Sequence, residues 1–179
     1  MKQAGFRNVQ GIDLSSEQVA ESHRLGIEGV IKGDIATMLK SLASASQDVV
    51  IAIDVIEHFT KDEIVQVVDE VYRVLKPAGR WIINTPNGES PFGAKMFYWD
   101  FTHEQAYTRN SIQQLLKSSG FNTVICNENV PIPHGFKSAI RFILWKWIHT
   151  ILLIYTMVET GNYDRSCIFS QNFLTVATK

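Results

Sequence analysis

Three ionisable side chains lie in the second half of the most apolar early segment of the chain, DVVIAIDVIEHF. The β-branched stretch at residues 49–53 predicts a strand that is buried on both faces of a sheet. Asp54, Glu57 and His58 come directly after it, where the chain leaves the core and meets water or a ligand. Carboxylates and an imidazole at such a place can bind a polar ligand or transfer a proton. The alternative is a polar loop with acidic residues at a helix start.

Two further carboxylates, Asp13 and Asp34, follow the strands predicted at residues 9–14 and 29–32. A carboxylate at the end of the first strand can accept hydrogen bonds from two ribose hydroxyls. Asp34 can accept a hydrogen bond from the exocyclic amine of adenine. In isolation, ordinary helix-entry chemistry explains Asp13 equally well, and turn chemistry is the favoured explanation of Asp34.

A histidine in a long loop, His103 in DFTHE, is the first candidate for a general base, and His58 is the second. The alternative for His103 is a hydrogen bond with Asp100 that fixes the loop. The aromatic residues 97–99 in the same loop can cover an acceptor pocket or simply pack the loop down.

The elements that must position these residues alternate between strands and helices. Capping boxes are predicted at Ser15 with Gln18 and at Thr60 with Glu63. The alternation predicts an α/β fold with a doubly wound, mostly parallel sheet, whose last two strands form an antiparallel pair at one edge. Ligands of such sheets bind at the carboxyl ends of the strands, where the polar clusters fall.

The composition is that of a single globular domain over residues 1–179, with 179 residues and a net charge of −1. This charge gives no reason to expect a nucleic-acid partner. Cys126 and Cys167 are too far apart for a zinc motif or a disulfide framework, so we predict no metal site and a reducing, cytoplasmic location. No apolar run follows Lys2, so no signal peptide is predicted.

An apolar insertion at about residues 131–161 interrupts the α/β pattern. Its segment 138–159 approaches the length of a membrane span, but Arg141, Lys146 and His149 interrupt it. Three interpretations stay open: a helix lying in a membrane interface, a lid or homodimer helix, and a true span. An interfacial helix would suit a lipid-linked acceptor and a peripheral position on the inner membrane face.

Six stretches together resemble the class I S-adenosylmethionine-dependent methyltransferases. They are GIDLSSEQ, GDI, DVVIAIDVIEHF, LKPAGRWIINTPN, FTHEQAYTRNSIQQLLKSSGF and NFLTVATK. The resemblance spans nearly the whole chain except the apolar insertion. The run from DFTHE to LLKSSGF is similar to the branch that contains ubiquinone-biosynthesis-type and glycan-cluster enzymes.

The resemblance implies a function, methyl transfer from S-adenosylmethionine to a small-molecule or lipid-linked acceptor, with S-adenosylhomocysteine as product. It assigns cofactor binding to Asp13, Leu14, Asp34, Ile35, Asp54, Val55 and His58. Asp13 would bind the ribose and Asp34 with Ile35 the adenine. Asp54, Val55 and His58 would line the methionine side. The implied fold is a seven-stranded sheet whose last strand inserts antiparallel.

One part of the family pattern is expected before residue 1, namely the first strand and a glycine-rich loop of the type V-L-D-x-G-C-G-x-G. Only glycine lets backbone amides approach the methionine moiety closely, so we expect impaired cofactor binding without this loop. The alternatives are a non-catalytic interaction module or methyltransferase fragment and, less well supported, a nicotinamide-dependent reductase. The reductase would also require its own glycine-rich loop.

Overall fold

A computed structural model describes residues 5–6 and 8–179. The sequence pattern also predicts the end of a helix at residues 2–4, which lies outside the described residues. The strands are β1 Gly11–Asp13, β2 Val30–Lys32, β3 Gln47–Ile53, β4 Leu75–Pro86, β5 Thr123–Glu128 and β6 Asn172–Thr178. The helices are α1 Ser16–Arg24, α2 Ile35–Ser41, α3 Lys61–Val74, α4 Gly93–Phe97, α5 Arg109–Ser118 and α6 Phe136–Thr160. A 3-10 turn at Ile56–His58 follows β3.

The strands form two sheets within the described part of the chain. β1 pairs with β2 in parallel, and the larger sheet has the order β3-β4-β6-β5. β6 is antiparallel to both β4 and β5, whereas β3 and β4 are parallel. The predicted α/β fold and the antiparallel insertion of the last strand are therefore confirmed. β5 forms the edge of the sheet, because β6 is paired on both of its sides.

The prediction that β3 is buried on both faces is wrong. Val50 and Ala52 pack against the core, whereas Ile51 and Ile53 point the other way and are exposed. The reason is that α1 packs against β1 and β2 and leaves this face of β3 open. In the described residues, β3 pairs only with β4 and β1 only with β2, so each strand has one open edge. A cavity of about 290 Å³ lies between them.

The core forms between α3, α5 and the larger sheet. The predicted capping box at Thr60 and Glu63 is present and starts α3. This helix buries one stripe of side chains, namely Ile64, Val67, Val68, Val71 and Val74. β4 begins at Leu75, immediately after the helix. The pairing with β3 shifts register between Gln47 and Val49, and Ala78 takes a positive φ of 62° in this irregular segment.

The apolar insertion forms the 25-residue helix α6, which is about 37 Å long at 1.5 Å per residue. The side of α6 that carries Trp145 and His149 faces the domain rather than solvent. Trp145 Nε1 donates a hydrogen bond to Glu128 Oε2, and His149 Nε2 lies 3.6 Å from the same oxygen. The remaining surface of α6 is wide, apolar and exposed. Among the described residues, α6 is the one helix long and apolar enough to cross a membrane.

Candidate functional site

Asp54 sits at the carboxyl end of β3 in a left-handed backbone conformation, with φ of 51°. Its Oδ1 accepts hydrogen bonds from Asn84 Nδ2 at 3.1 Å and Asn172 Nδ2 at 3.2 Å. Asn129 Nδ2 in turn donates to Asn84 Oδ1 at 2.9 Å. The sequence analysis missed these three asparagines, because they come from strand ends that are distant in the chain. They fix one carboxylate oxygen of Asp54 at the edge where a ligand would bind.

The two earlier carboxylates are engaged locally. Asp13 Oδ1 accepts a hydrogen bond from the Ser15 backbone amide at 2.7 Å, which orients the carboxylate at the end of β1. Asp34 is the N-cap of α2, and its Oδ2 accepts from the Thr37 amide at 2.8 Å. Hydrogen bonds from Thr37 lower the pKa of Asp34. The turn chemistry weighed for Asp34 is thus present, and it leaves the predicted contact with adenine a prediction.

The apolar members of the predicted cofactor set lie close to the cavity between β1 and β3. Ile35 and Val55 line it, together with Ile12 of β1 and Val50 of β3. Leu14, by contrast, is exposed beside Asp13. The structure therefore brings Ile35 and Val55 to one cavity and places the carboxylates at strand ends beside it.

Glu57 departs from the expectation that this segment meets water, because its side chain is fully buried (0% exposed). Its Oε2 accepts a hydrogen bond from the Thr85 hydroxyl at 2.9 Å. Its Oε1 is buried and has no hydrogen-bond partner among the described residues. Burial raises the pKa of the Glu57 carboxyl and outweighs the hydrogen bond from Thr85. A buried carboxylate oxygen without a partner is costly, so this atom is available to a further group.

His58 and His103 lie side by side although 45 positions separate them, with ring centroids 4.8 Å apart. His103 Nδ1 is 2.9 Å from the Phe97 carbonyl oxygen, and His58 Nδ1 is 3.2 Å from that of Thr102. A carbonyl can only accept, so both Nδ1 atoms carry the proton in the neutral ring. The tautomer is thus inferred from the hydrogen bonds. Each neutral ring therefore keeps its lone pair on Nε2.

The loop that carries His103 is tied to the buried glutamate by main-chain bonds. The Glu57 carbonyl accepts hydrogen bonds from the amides of Glu104 at 2.8 Å and Gln105 at 3.0 Å. The Tyr107 hydroxyl donates to the Ile56 carbonyl at 3.2 Å. Burial raises the pKa of Tyr107, which keeps this hydroxyl protonated as a donor. These bonds hold the loop against the carboxyl end of β3.

The alternative role proposed for His103 is present in a different form. The His103 backbone amide donates to the Asp100 carbonyl at 3.3 Å, and the Asp100 carboxylate accepts hydrogen bonds from the Thr102 amide at 2.9 Å and hydroxyl at 2.7 Å. The Thr102 hydroxyl also lies 3.0 Å from His58 Nδ1. The loop aromatics Tyr98 and Trp99 are exposed rather than packed down. Asp100 therefore supports His58 through Thr102.

The argument from sequence against a nicotinamide-dependent reductase also relied on the absence of a Tyr-x-x-x-Lys pair, and this was wrong, because the spacing occurs at Tyr72 and Lys76. Tyr72 packs edge-on against Phe121, with ring centroids 5.2 Å apart. Lys76 Nζ pairs with Asp48 at 2.7 Å, at the start of β3. Both residues lie at the end of the sheet opposite Asp54, so this arrangement counts against a reductase site.

Comparison with known proteins finds similar methyltransferases. Residues 1–83 match the family described as methyltransferase domain. A probable S-adenosylmethionine-dependent methyltransferase of Mycolicibacterium smegmatis is 30% identical over 130 residues, which cover 72% of this chain and 48% of that protein. The chain thus spans about half the length of this curated relative.

Solved structures extend the likeness over the whole chain. A SAM-dependent methyltransferase from Archaeoglobus fulgidus matches with a TM-score of 0.72 and 20% identity, covering 99% of this chain and 78% of that one. An S-adenosylmethionine-dependent methyltransferase from Mesorhizobium loti matches with a TM-score of 0.65 and 14% identity, covering 99% and 83%. The chain therefore has the fold of the S-adenosylmethionine-dependent methyltransferases.

Proposed function

We propose that this chain belongs to an enzyme that transfers a methyl group from S-adenosylmethionine to a hydroxyl of a small-molecule or lipid-linked acceptor. The observation that carries the proposal is the pair His58 and His103, whose Nε2 lone pairs lie beside the strand end that carries Asp54. The methyltransferase fold of the solved relatives supports it. In the reaction, the acceptor oxygen bonds to the methyl carbon as the carbon–sulfur bond breaks. The electron pair of the broken carbon–sulfur bond stays on sulfur, and S-adenosylhomocysteine is released.

Each of these residues has a proposed role that follows from its position. Asp13 accepts hydrogen bonds from the ribose hydroxyls, Asp34 and Ile35 contact the adenine, and Asp54 holds the methionine side. His103 Nε2 accepts the acceptor proton, with His58 as the neighbouring candidate. Methyl transfer from a sulfonium depends mainly on proximity and alignment, so the rigid strand ends supply most of what the reaction needs.

We also propose that the cavity between β1 and β3 accepts one further strand. Both facing strands have an open edge among the described residues, and the cavity lining is largely apolar. The strand and glycine-rich loop of the family pattern would join the two sheets at this place. Their amides would also complete the methionine side of the cofactor site.

Calorimetric titration with S-adenosylhomocysteine tests the proposed function. We expect binding that weakens at least about tenfold in Asp13→Ala. Asp48→Ala is the matched control, because this exposed carboxylate lies at the start of β3 and should leave the affinity unchanged. Absence of binding below millimolar concentrations would instead favour a methyltransferase fragment or a non-catalytic module.

We further propose that α6 lies in the interface of the cytoplasmic face of the inner membrane and brings a lipid-linked acceptor to the site. The exposed basic residues Lys137, Arg141 and Lys146 suit an anionic headgroup layer. A true span would place Lys146 and His149 near the bilayer centre, which costs about 2.5–3.5 kcal/mol for a charged residue. The homodimer is the rival occupant of this surface, and the two are separated by the vesicle experiment in the Discussion.

A further inference from the structure

The cluster of Glu57, His58 and His103 has the composition of a metal site. One carboxylate oxygen and one ring nitrogen of each histidine lie within 4.8 Å of one another. Two imidazoles and a carboxylate form the ligand set of many catalytic zinc and non-haem iron sites. The sequence pattern alone predicts no such site, because the third ligand is 45 positions from the second.

The hydrogen bonds decide which atoms remain for a ligand. Thr85 takes Glu57 Oε2 and leaves Oε1 buried without a partner. Backbone carbonyls take Nδ1 of both histidines and leave the two Nε2 lone pairs. Histidines that bind metals usually donate their other N–H to a carbonyl or carboxylate, which fixes the ring and the tautomer. Both rings here are held in that way.

From this arrangement we infer that Glu57 Oε1, His58 Nε2 and His103 Nε2 bind a first-row transition-metal dication of the zinc class. Ligand atoms around a tetrahedral ion at about 2.0–2.2 Å lie roughly 3.3–3.6 Å apart. Separations in the cluster reach up to 4.8 Å, so binding must shorten them by up to about 1.5 Å. The nitrogen ligands favour zinc, cobalt or iron over magnesium, which prefers oxygen ligands.

The inferred ion deepens the proposed function and rests on it for its role. Three protein ligands leave at least one open coordination position. An acceptor hydroxyl bound there is polarised and loses its proton more readily. With the ion present, the Nε2 lone pairs of His58 and His103 are used for coordination, so the metal replaces His103 as the group that activates the hydroxyl, and the hydroxyl proton is released to solvent. The acceptor class narrows accordingly to compounds that offer a hydroxyl oxygen to a dication.

Co²⁺ is the probe for the test, because its visible absorption reports the number and type of ligands. Purified chain stripped with a chelator is titrated with Co²⁺, and Zn²⁺ is then added as a competitor. We expect one Co²⁺ per chain, displaced by Zn²⁺ and not by Mg²⁺. In His103→Ala the affinity should fall more than about 100-fold, since removing a ligand costs at least as much as removing its support.

His134→Ala is the matched control, because His134 is an exposed histidine whose Nδ1 also bonds a carbonyl, that of Ile132. It should bind Co²⁺ like the unaltered chain. Glu57→Gln keeps the shape of the buried side chain, and its thermal melt verifies that the fold survives. Equal Co²⁺ binding by His103→Ala and the unaltered chain overturns the site, as does an unaltered chain that binds no Co²⁺.

The same preparations are titrated with S-adenosylhomocysteine to separate the two proposals. A chain that binds S-adenosylhomocysteine but not Co²⁺ overturns the metal site and leaves methyl transfer standing. A chain that binds Co²⁺ through these residues but not S-adenosylhomocysteine supports the metal site and counts against methyl transfer.

Discussion

Replacing exposed apolar residues of α6 tests whether this helix contacts a membrane. Ile143, Ile151 and Ile154 share one face of the helix, and their side chains are 56%, 61% and 51% exposed. The variant Ile143→Gln, Ile151→Gln, Ile154→Gln keeps good helix formers and removes this apolar surface. Glutamine at these positions should leave the fold intact, because none of the three contributes to the buried core.

The expected loss follows from these exposed fractions. Fully burying an isoleucine side chain contributes about 1.5–3 kcal/mol, so the three exposed portions represent about 2.5–5 kcal/mol. A helix lying in the interface buries roughly half of this surface, which leaves about 1–2.5 kcal/mol. At about 1.4 kcal/mol per tenfold, vesicle partitioning should weaken about five- to fiftyfold.

The assay is flotation with vesicles that contain anionic lipid, at fixed salt and lipid concentration. The control variant Leu25→Gln, Ile27→Gln, Val65→Gln removes similarly exposed residues outside α6, at 59%, 50% and 47% exposure. It should float like the unaltered chain. The membrane role is refuted if the unaltered chain stays at the bottom with lipid in excess. It is also refuted if light scattering shows a dimer that the α6 variant alone dissociates.

Three further predictions concern the supports of the fold. Asn87→Ala leaves two buried carbonyls without the side-chain amide that now donates to them at 2.7 and 2.9 Å. The free energy of unfolding in urea should fall by about 2–4 kcal/mol. The control Asn110→Ala, at an exposed position, should lower it by under about 0.5 kcal/mol. Thr60→Ala removes the capping box of α3 and should cost about 1 kcal/mol by the same measurement; Thr60→Ser should restore most of it, and equal losses would contradict the cap. Glu128→Gln keeps a single acceptor oxygen where two now serve Trp145 and two backbone amides, so amide exchange should quicken in α6 and not in α3; unchanged exchange in α6 would contradict this anchor.

The capped starts of α1, α3 and α5 could be predicted from the sequence, because they depend on neighbouring residues. The capping box at Thr60 is present as predicted, and Thr108 caps α5 in the same way. The box predicted at Ser15 is only half formed, since the hydroxyl accepts from the Gln18 amide without a reciprocal bond among those found. Local capping chemistry sets these ends, and it leaves little for distant contacts to change.

The sides of the strands and the members of the site could not be predicted in the same way. Apolar residues in β3 suggest burial on both faces, but exposure also depends on where α1 packs. Glu57 reads as a solvent-facing acid in sequence, although the distant Thr85 hydroxyl and the loop around His103 enclose it. Such contacts join residues separated by 28 or more positions, which no local pattern records.

Asp54 shows how the strand ends connect fold and chemistry. A non-glycine residue in the left-handed region costs about 1 kcal/mol or more, and glycine would avoid this cost. Aspartate tolerates the conformation better than most residues, and the amides of Asn84 and Asn172 offset the remainder. The turn that reverses the chain here also starts the 3-10 turn that buries Glu57 and presents His58. The positions of the Asp54 carboxylate and of the histidine cluster therefore both depend on the strained backbone of Asp54, because a relaxed turn there would displace both.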